Sequence, residues 1–150
     1  MTAAVLPPEA SPPTTLLLPT DLLGRWDLRR TVHDRLADVT GTVTGSTVLR
    51  VDDDGSVHWH ETGTMVFGAR STPVWRTLAV RPGRDGRWHV HFADGRPFHD
   101  WIWGARVEHA CAPDDYTGLL TGTPDGWRVR WEARGPAKDL VIDSVLTPSA

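Results

Sequence analysis

A single cysteine, Cys111, is all the thiol chemistry the chain carries. It cannot form an internal disulfide, and its isolation fits a reducing compartment. Positive charge is not in excess either: sixteen Lys and Arg against nineteen Asp and Glu leave a net charge of −3. Nucleic-acid binding relies on a clustered positive face that displaces phosphate counterions, so no nucleic-acid partner is expected. No apolar run approaches the roughly 20 residues needed to cross a bilayer, and no membrane partner is expected. Walker A, G-x-G-x-x-G, H-E-x-x-H and G-x-S-x-G patterns are all missing, which leaves nucleotide-binding and hydrolase readings without a motif. Convincing amphipathic helices longer than one turn are missing too.

What the 150 residues do contain is one domain's worth of chain with unusual aromatic usage: eight Trp against one Tyr and three Phe, with seven His. Residues 1–19 hold five prolines and no Lys or Arg, and the Pro pairs favour extended backbone over helix. A secretory signal needs a basic start and a longer apolar core than Leu16-Leu17-Leu18. The expectation is a disordered Pro-rich tail over 1–19, a β-barrel domain over 20–148, and a cytoplasmic location. One helical turn is expected at Thr20–Leu23, capped by Thr20 or Asp21 and ended by Gly24.

After that turn the pattern is alternation. Four Asp-Gly pairs, at 54–55, 85–86, 94–95 and 125–126, each separate strand-like runs. The most chemically loaded stretch is Arg87 to Trp103, which reads as a hairpin around a type I′ turn at Asp94-Gly95. About ten short antiparallel strands at even spacing predict an all-β fold, a single antiparallel up-and-down barrel of about 8–10 strands. Closing the sheet removes its exposed edges.

Strand parity then sorts the side chains, because successive residues point to opposite faces. Trp127, Val129, Trp131 and Ala133 share a face opposite Arg128, Arg130, Glu132 and Arg134. Trp59, Glu61 and Met65 lie opposite His58 and His60; Trp88, Val90 and Phe92 lie opposite His89 and His91. Val74, Arg76 and Leu78 align, as do His99, Trp101 and Trp103, then Val107, His109 and Cys111, then Tyr116 and Leu120. The apolar faces therefore also contain Glu61, Arg76, His99, His109 and Tyr116. Charged groups are rarely buried without partners, and polar groups converging inside a Trp-lined barrel have the composition of a ligand pocket.

Three chemistries are weighed on these residues. The His58-x-His60 and His89-x-His91 pairs have strand-chelate spacing, but parity turns both away from the apolar face, so exposed histidines are expected and no metal. His99 and His109 are candidates for acid–base work, with Glu61 or Tyr116 orienting them; the plainer alternative is a core histidine bonded to a backbone carbonyl. Cys111, two residues after His109 on the same face, is taken as a small core residue rather than a nucleophile.

Two stretches carry resemblances. Leu23-Gly24-Arg25-Trp26 is similar to the Gly-x-Trp opening of lipocalin-like (calycin) barrels, in which the tryptophan closes the barrel floor under an arginine from a late strand. Phe92-Ala93-Asp94-Gly95-Arg96-Pro97-Phe98-His99, with Glu108-His109-Ala110-Cys111, Tyr116 and Arg134-Gly135-Pro136-x-Lys138-Asp139, resembles a family of uncharacterised bacterial and fungal proteins over Leu22 to Thr147. That likeness implies one barrel domain and no particular reaction.

The reading is a small-molecule-binding barrel whose ligand is an anionic or aromatic metabolite. Arg76 would pair the anion with Arg96 at the mouth; Trp59, Trp101, Trp131 and Phe98 would line the pocket. Its rival is a calycin-like cyclase, isomerase or decarboxylase using His99 and His109 as acid and base. Behind both stands a haem-binding barrel with His99 or His109 as axial ligand. No cofactor is expected, and association into a homodimer is left open.

Overall fold

The computed structural model describes residues 17–150, so the expected tail up to residue 16 lies outside the described residues. A single 3-10 turn, Pro19–Leu22, precedes ten strands. These are β1 (Gly24–Asp34), β2 (Val39–Val51), β3 (Val57–Phe67), β4 (Arg70–Pro82), β5 (Trp88–Phe92), β6 (Pro97–Asp100), β7 (Arg106–Cys111), β8 (Asp114–Gly122), β9 (Trp127–Gly135) and β10 (Lys138–Pro148). All pairings between these strands are antiparallel, with one isolated parallel bridge from Trp103 to Leu120, and the sheet order is β6-β5-β4-β3-β2-β1-β10-β9-β8-β7. The first and last strands are zipped together, and the single break in the ladder falls mid-chain, between β6 and β7. The molecule is a nearly closed up-and-down barrel. Its seam is bridged by Gly104 N–H donating to the Leu120 carbonyl at 2.7 Å and by His109 Nδ1 on the Phe98 carbonyl at 2.9 Å.

Asp-Gly pairs do turn the chain, by a different geometry from the one expected. In the turns at Asp54, Asp85 and Asp94 only the glycine has positive φ (84°, 78° and 90°), which rules out a type I′ turn there. Gly95 N–H instead bonds the Phe92 carbonyl and Phe92 N–H the Arg96 carbonyl, the signature of a type I turn followed by a glycine bulge. The aspartate has its own task. Asp54, Asp85 and Asp94 each accept the backbone N–H two residues on, at 2.9–3.0 Å, and those bonds pull their carboxyls below the ordinary value.

The short N-terminal turn is capped earlier than the predicted Thr20 or Asp21. Leu18 is the N-cap, and its N–H donates to Asp21 Oδ2 at 2.7 Å. This end of the barrel is plugged. Trp101 Nε1 donates to the Leu17 carbonyl at 2.9 Å and Trp26 Nε1 to that of Leu22 at 2.8 Å. Trp127, fully buried, is the hub of the plug, with ring centroids 6.1 Å from Trp26, 5.4 Å from Trp59 and 6.3 Å from Trp101. An indole of this size buried outright contributes about 4 kcal/mol of transfer free energy. Trp26 thus meets an indole, with none of the cation contacts of the described residues falling on its ring; Arg128, which could have stacked there, pairs with Asp143 on the outside.

Two local expectations fail at the seam. The strand expected over Arg96–Trp103 runs only over Pro97–Asp100, and the β5–β6 register shifts between Val90 and His91. That irregularity breaks strict parity, so consecutive residues Phe98 and His99 both pack on Trp131, at 5.0 Å and 5.1 Å. Cys111, expected in the core, is exposed at the end of the edge strand β7, beyond the apolar interior. No helix among the described residues is long and apolar enough to cross a membrane.

Candidate functional site

The site begins with the β2–β3–β4 register. Thr47, Glu61 and Arg76 are direct cross-strand partners and all point inward. Glu61 is only 4 % exposed, a cost no carboxylate bears without partners. It has three. Arg76 donates to Oε1 from Nε at 3.0 Å and approaches it with Nη2 at 2.8 Å; Arg30 Nη2 lies 2.9 Å from Oε1 and 3.1 Å from Oε2; the Thr47 hydroxyl donates to Oε2 at 3.2 Å. Arg30 is itself steadied by its Nε, which donates to Ser144 Oγ at 2.7 Å, directly across the β1–β10 ladder. Arg30 reaches Glu61 across β2, over the register pair Gly45–Gly63, where no side chain stands in the way.

Burial by itself raises the Glu61 pKa, but Arg76 and Arg30 outweigh it and hold the carboxyl below its ordinary value. Burial, helped by the neighbouring Arg30 charge, lowers the Arg76 pKa and Glu61 only partly offsets it, yet the guanidinium stays a cation throughout the ordinary pH range. Two guanidinium groups on one carboxylate leave one positive charge in excess inside the barrel. Beside it lies a cavity of ≈ 50 Å³ lined by Leu28, Arg30, Val43, Glu61, Val74 and Arg76. That is room for a small polar group such as a carboxylate or a few waters. Further along the same interior the inward side chains Val32, Met65, Phe67, Leu140 and Ile142 are only partly buried, in contrast with the sealed indole plug at the other end.

Of the residues predicted from sequence, Glu61 and Arg76 are brought into contact, and Arg76 lies 5.8 Å over the Trp59 ring. Trp59 and Trp101 belong to the plug, with their rings 6.3 Å apart. Trp131 lies flat on Gly118, where a Cβ would come within 2.7 Å of its ring, and Phe98 stacks on it at 5.0 Å. Arg96 is elsewhere: it is 74 % exposed and paired with Asp94 at 2.7 Å, so it stands apart from Arg76.

His99 and His109 flank Phe98 at 4.7 Å and 5.1 Å. Neither is oriented by Glu61 or by Tyr116. His99 Nδ1 bonds the Asp100 carbonyl and His109 Nδ1 the Phe98 carbonyl, while the Tyr116 hydroxyl accepts from Lys138 Nζ at 2.9 Å. Burial drives the His99 pKa down to about 4, so the ring is neutral at physiological pH. The outer histidines are tied to the surface: His60 Nδ1 to Thr77 Oγ1, His89 to Asp85 and Asp100, and His91 Nδ1 to the Gly95 carbonyl.

Arg30 is the member that residue-by-residue reading passed over. Its signal was present: Trp26, Leu28 and Arg30 fall at i, i+2 and i+4 of one strand, on the inward face.

A nearly closed antiparallel barrel with one short turn and no true helix among the described residues fits a calycin-like fold. The chain belongs to a family of unknown function, DUF6314, whose model matches residues 22–148. A search of curated proteins finds no match.

Proposed function

We propose that the barrel binds a small organic anion in its interior, with the acid group placed against Arg30 and Arg76. The observation that carries this reading is the surplus cation: two arginines converge on one buried carboxylate beside a cavity of ≈ 50 Å³. A partly shielded positive charge attracts a counterion, and a carboxylate accepts two parallel bonds from a guanidinium fork. The partly buried Val32, Met65, Phe67, Leu140 and Ile142 would cover the apolar part of the ligand.

Titrating aromatic and aliphatic monocarboxylates while following tryptophan emission tests this. Quenching is expected in the wild type and lost in Arg76→Ala, whose fold is checked by its near-ultraviolet dichroism. Quenching that survives Arg76→Ala removes Arg76 from the site. Acid–base catalysis by His99 and His109 draws on the same interior, and it is told apart by recovery of the ligand: a binder returns it unchanged.

A further inference from the structure

The arginine–glutamate cluster leaves donors unused. Arg76 gives Nε and Nη2 to Glu61, while Arg30 gives Nε to Ser144 and Nη2 to Glu61. Nη1 of either guanidinium makes none of the hydrogen bonds found among the described residues. Glu61 has no such reserve. Its Oε1 accepts from both arginines, and its Oε2 accepts from Arg30 and Thr47. The cavity of ≈ 50 Å³ that these side chains line therefore meets a guest with N–H donors, its one carboxylate being already saturated.

Charge then decides which guest. Besides this cluster, and leaving imidazoles aside, the two-residue period puts only Asp34, Arg70, Asp114 and Lys138 on inward faces among the described residues. All four are terminal residues of their strands, at the rim opposite the indole plug, and their charges cancel; Lys138 and Asp114 pair directly at 3.2 Å. The interior inside that rim thus carries one surplus positive charge: two guanidiniums less Glu61, which stays ionised because its carboxyl is held below its ordinary value. A guest with one negative charge neutralises the surplus. A guest with two overshoots it. Attraction to the cluster grows in proportion to the guest's charge, whereas the cost of stripping its water grows with the square of that charge.

We infer that Glu61 sets the charge of the acid the barrel accepts: the ligand's head is a monocarboxylate or another singly charged acid, and doubly charged heads such as phosphate monoesters and sulfate are turned away. This rests on the interior being an anion site, and it adds the class of acid and the residue that selects it. Glu61 works through the arginines, by cancelling one of their two charges and by occupying Nε and Nη2 of Arg76 and Nη2 of Arg30. With Glu61 made neutral the cluster would carry two positive charges, and each guest would gain in proportion to its own charge.

Three small anions test this: acetate, methanesulfonate and sulfate. The first two carry one charge and the third carries two, while methanesulfonate shares the tetrahedral shape of sulfate. Each is titrated at constant pH and ionic strength, and the Nε–Hε signals of Arg30 and Arg76 are followed in proton–nitrogen correlation spectra. In the wild type both monoanions are expected to bind at least about tenfold more tightly than sulfate. In Glu61→Gln, whatever factor acetate gains, sulfate should gain about its square. Sulfate that binds the wild type as tightly as acetate overturns the inference and leaves the anion site standing. Methanesulfonate as weak as sulfate also overturns it, because the exclusion would then follow shape. Equal gains for acetate and sulfate in Glu61→Gln remove Glu61 as the selecting residue, and if that variant does not fold, the wild-type series still decides. If none of the three moves either signal, or if Arg76→Ala leaves the Arg30 response unchanged, the anion site fails and the inference fails with it.

Discussion

Glu61 and Arg76 face each other directly across the β3–β4 ladder, with Arg76 Nη2 2.8 Å from Glu61 Oε1. A second guanidinium, Arg30, shares the same oxygen from the opposite side at 2.9 Å. One carboxylate is thus the counter-charge for two cations inside a β-barrel, and any change at Glu61 acts on both.

Glu61→Gln is accordingly expected to destabilise the fold by about 3 kcal/mol, because it leaves two interior cations without their shared anion. The shift would be read from urea midpoints at neutral pH. The same variant should be stabilised more than the wild type by added acetate, since an external carboxylate in the adjoining cavity can supply the missing negative charge. A Glu61→Gln protein as stable as the wild type, and indifferent to acetate, would show that the ion pair does not hold the interior.

His99 should make the protein acid-sensitive before its carboxylates do. In the unfolded chain it takes up a proton near pH 6.5, whereas in the fold it stays neutral down to about 4. Between those values the unfolded state binds more protons, so stability falls as the pH is lowered from 6.5 towards 4, by about 3 kcal/mol in all. His89 acts in the other direction: its raised pKa, caused first by its bond to Asp100, favours the fold below 6.5 and fades as pH rises. Glu61 begins to contribute a loss only below its ordinary 4.5, since its folded pKa is depressed. The difference in urea midpoint between wild type and His99→Gln isolates the His99 part. That difference should shrink steadily from pH 7 to pH 4.5, and a constant difference contradicts the burial of a neutral imidazole.

Gly118→Ala is expected to cost about 1–3 kcal/mol and to shift tryptophan emission. The added methyl would sit 2.7 Å from three atoms of the Trp131 six-membered ring, which is itself pinned by Phe98. Neither ring can retreat without moving the aromatic face that Phe98 and His99 share. Unchanged melting and emission together would mean that Trp131 does not lie on Gly118.

Two tryptophans that look alike in sequence should behave in opposite ways. Trp127 is fully buried and Trp75 is 74 % exposed. Trp127→Ala is expected to cost about 4 kcal/mol, whereas Trp75→Ala should change stability by less than about 0.5 kcal/mol. Chemical denaturation of the two variants decides the matter. A Trp75 variant as damaged as the Trp127 variant would place Trp75 in the core.

How far the site could be read from residues alone differs from one side chain to the next. Glu61 and Arg76 were legible as inward charges because each sits between apolar residues at i−2 and i+2, and a sheet imposes that period locally. Arg30 obeys the same rule, yet it follows Arg29 and reads as one of a charged pair until its distant partner is known. His99 and His109 were legible as inward imidazoles. Their orienting carbonyls were not, because the Phe98 carbonyl that holds His109 belongs to the other side of the seam. The break in parity at Val90–His91 left no mark in the alternation, so Phe98 gave no sign of standing between two aromatic rings.

Alone, and away from the β6–β7 seam, the amino-acid sequence determined where strands form, where Asp-Gly turns them and which side chains point inward. These are properties of neighbours along the chain, set by the two-residue period and by glycine's access to positive φ. Only the tertiary structure decided which inward residues meet. Arg30 finds Glu61 across an intervening strand, and the seam opens between β6 and β7 rather than between the termini. Register and closure come from packing summed around the whole barrel, and no single strand carries that information.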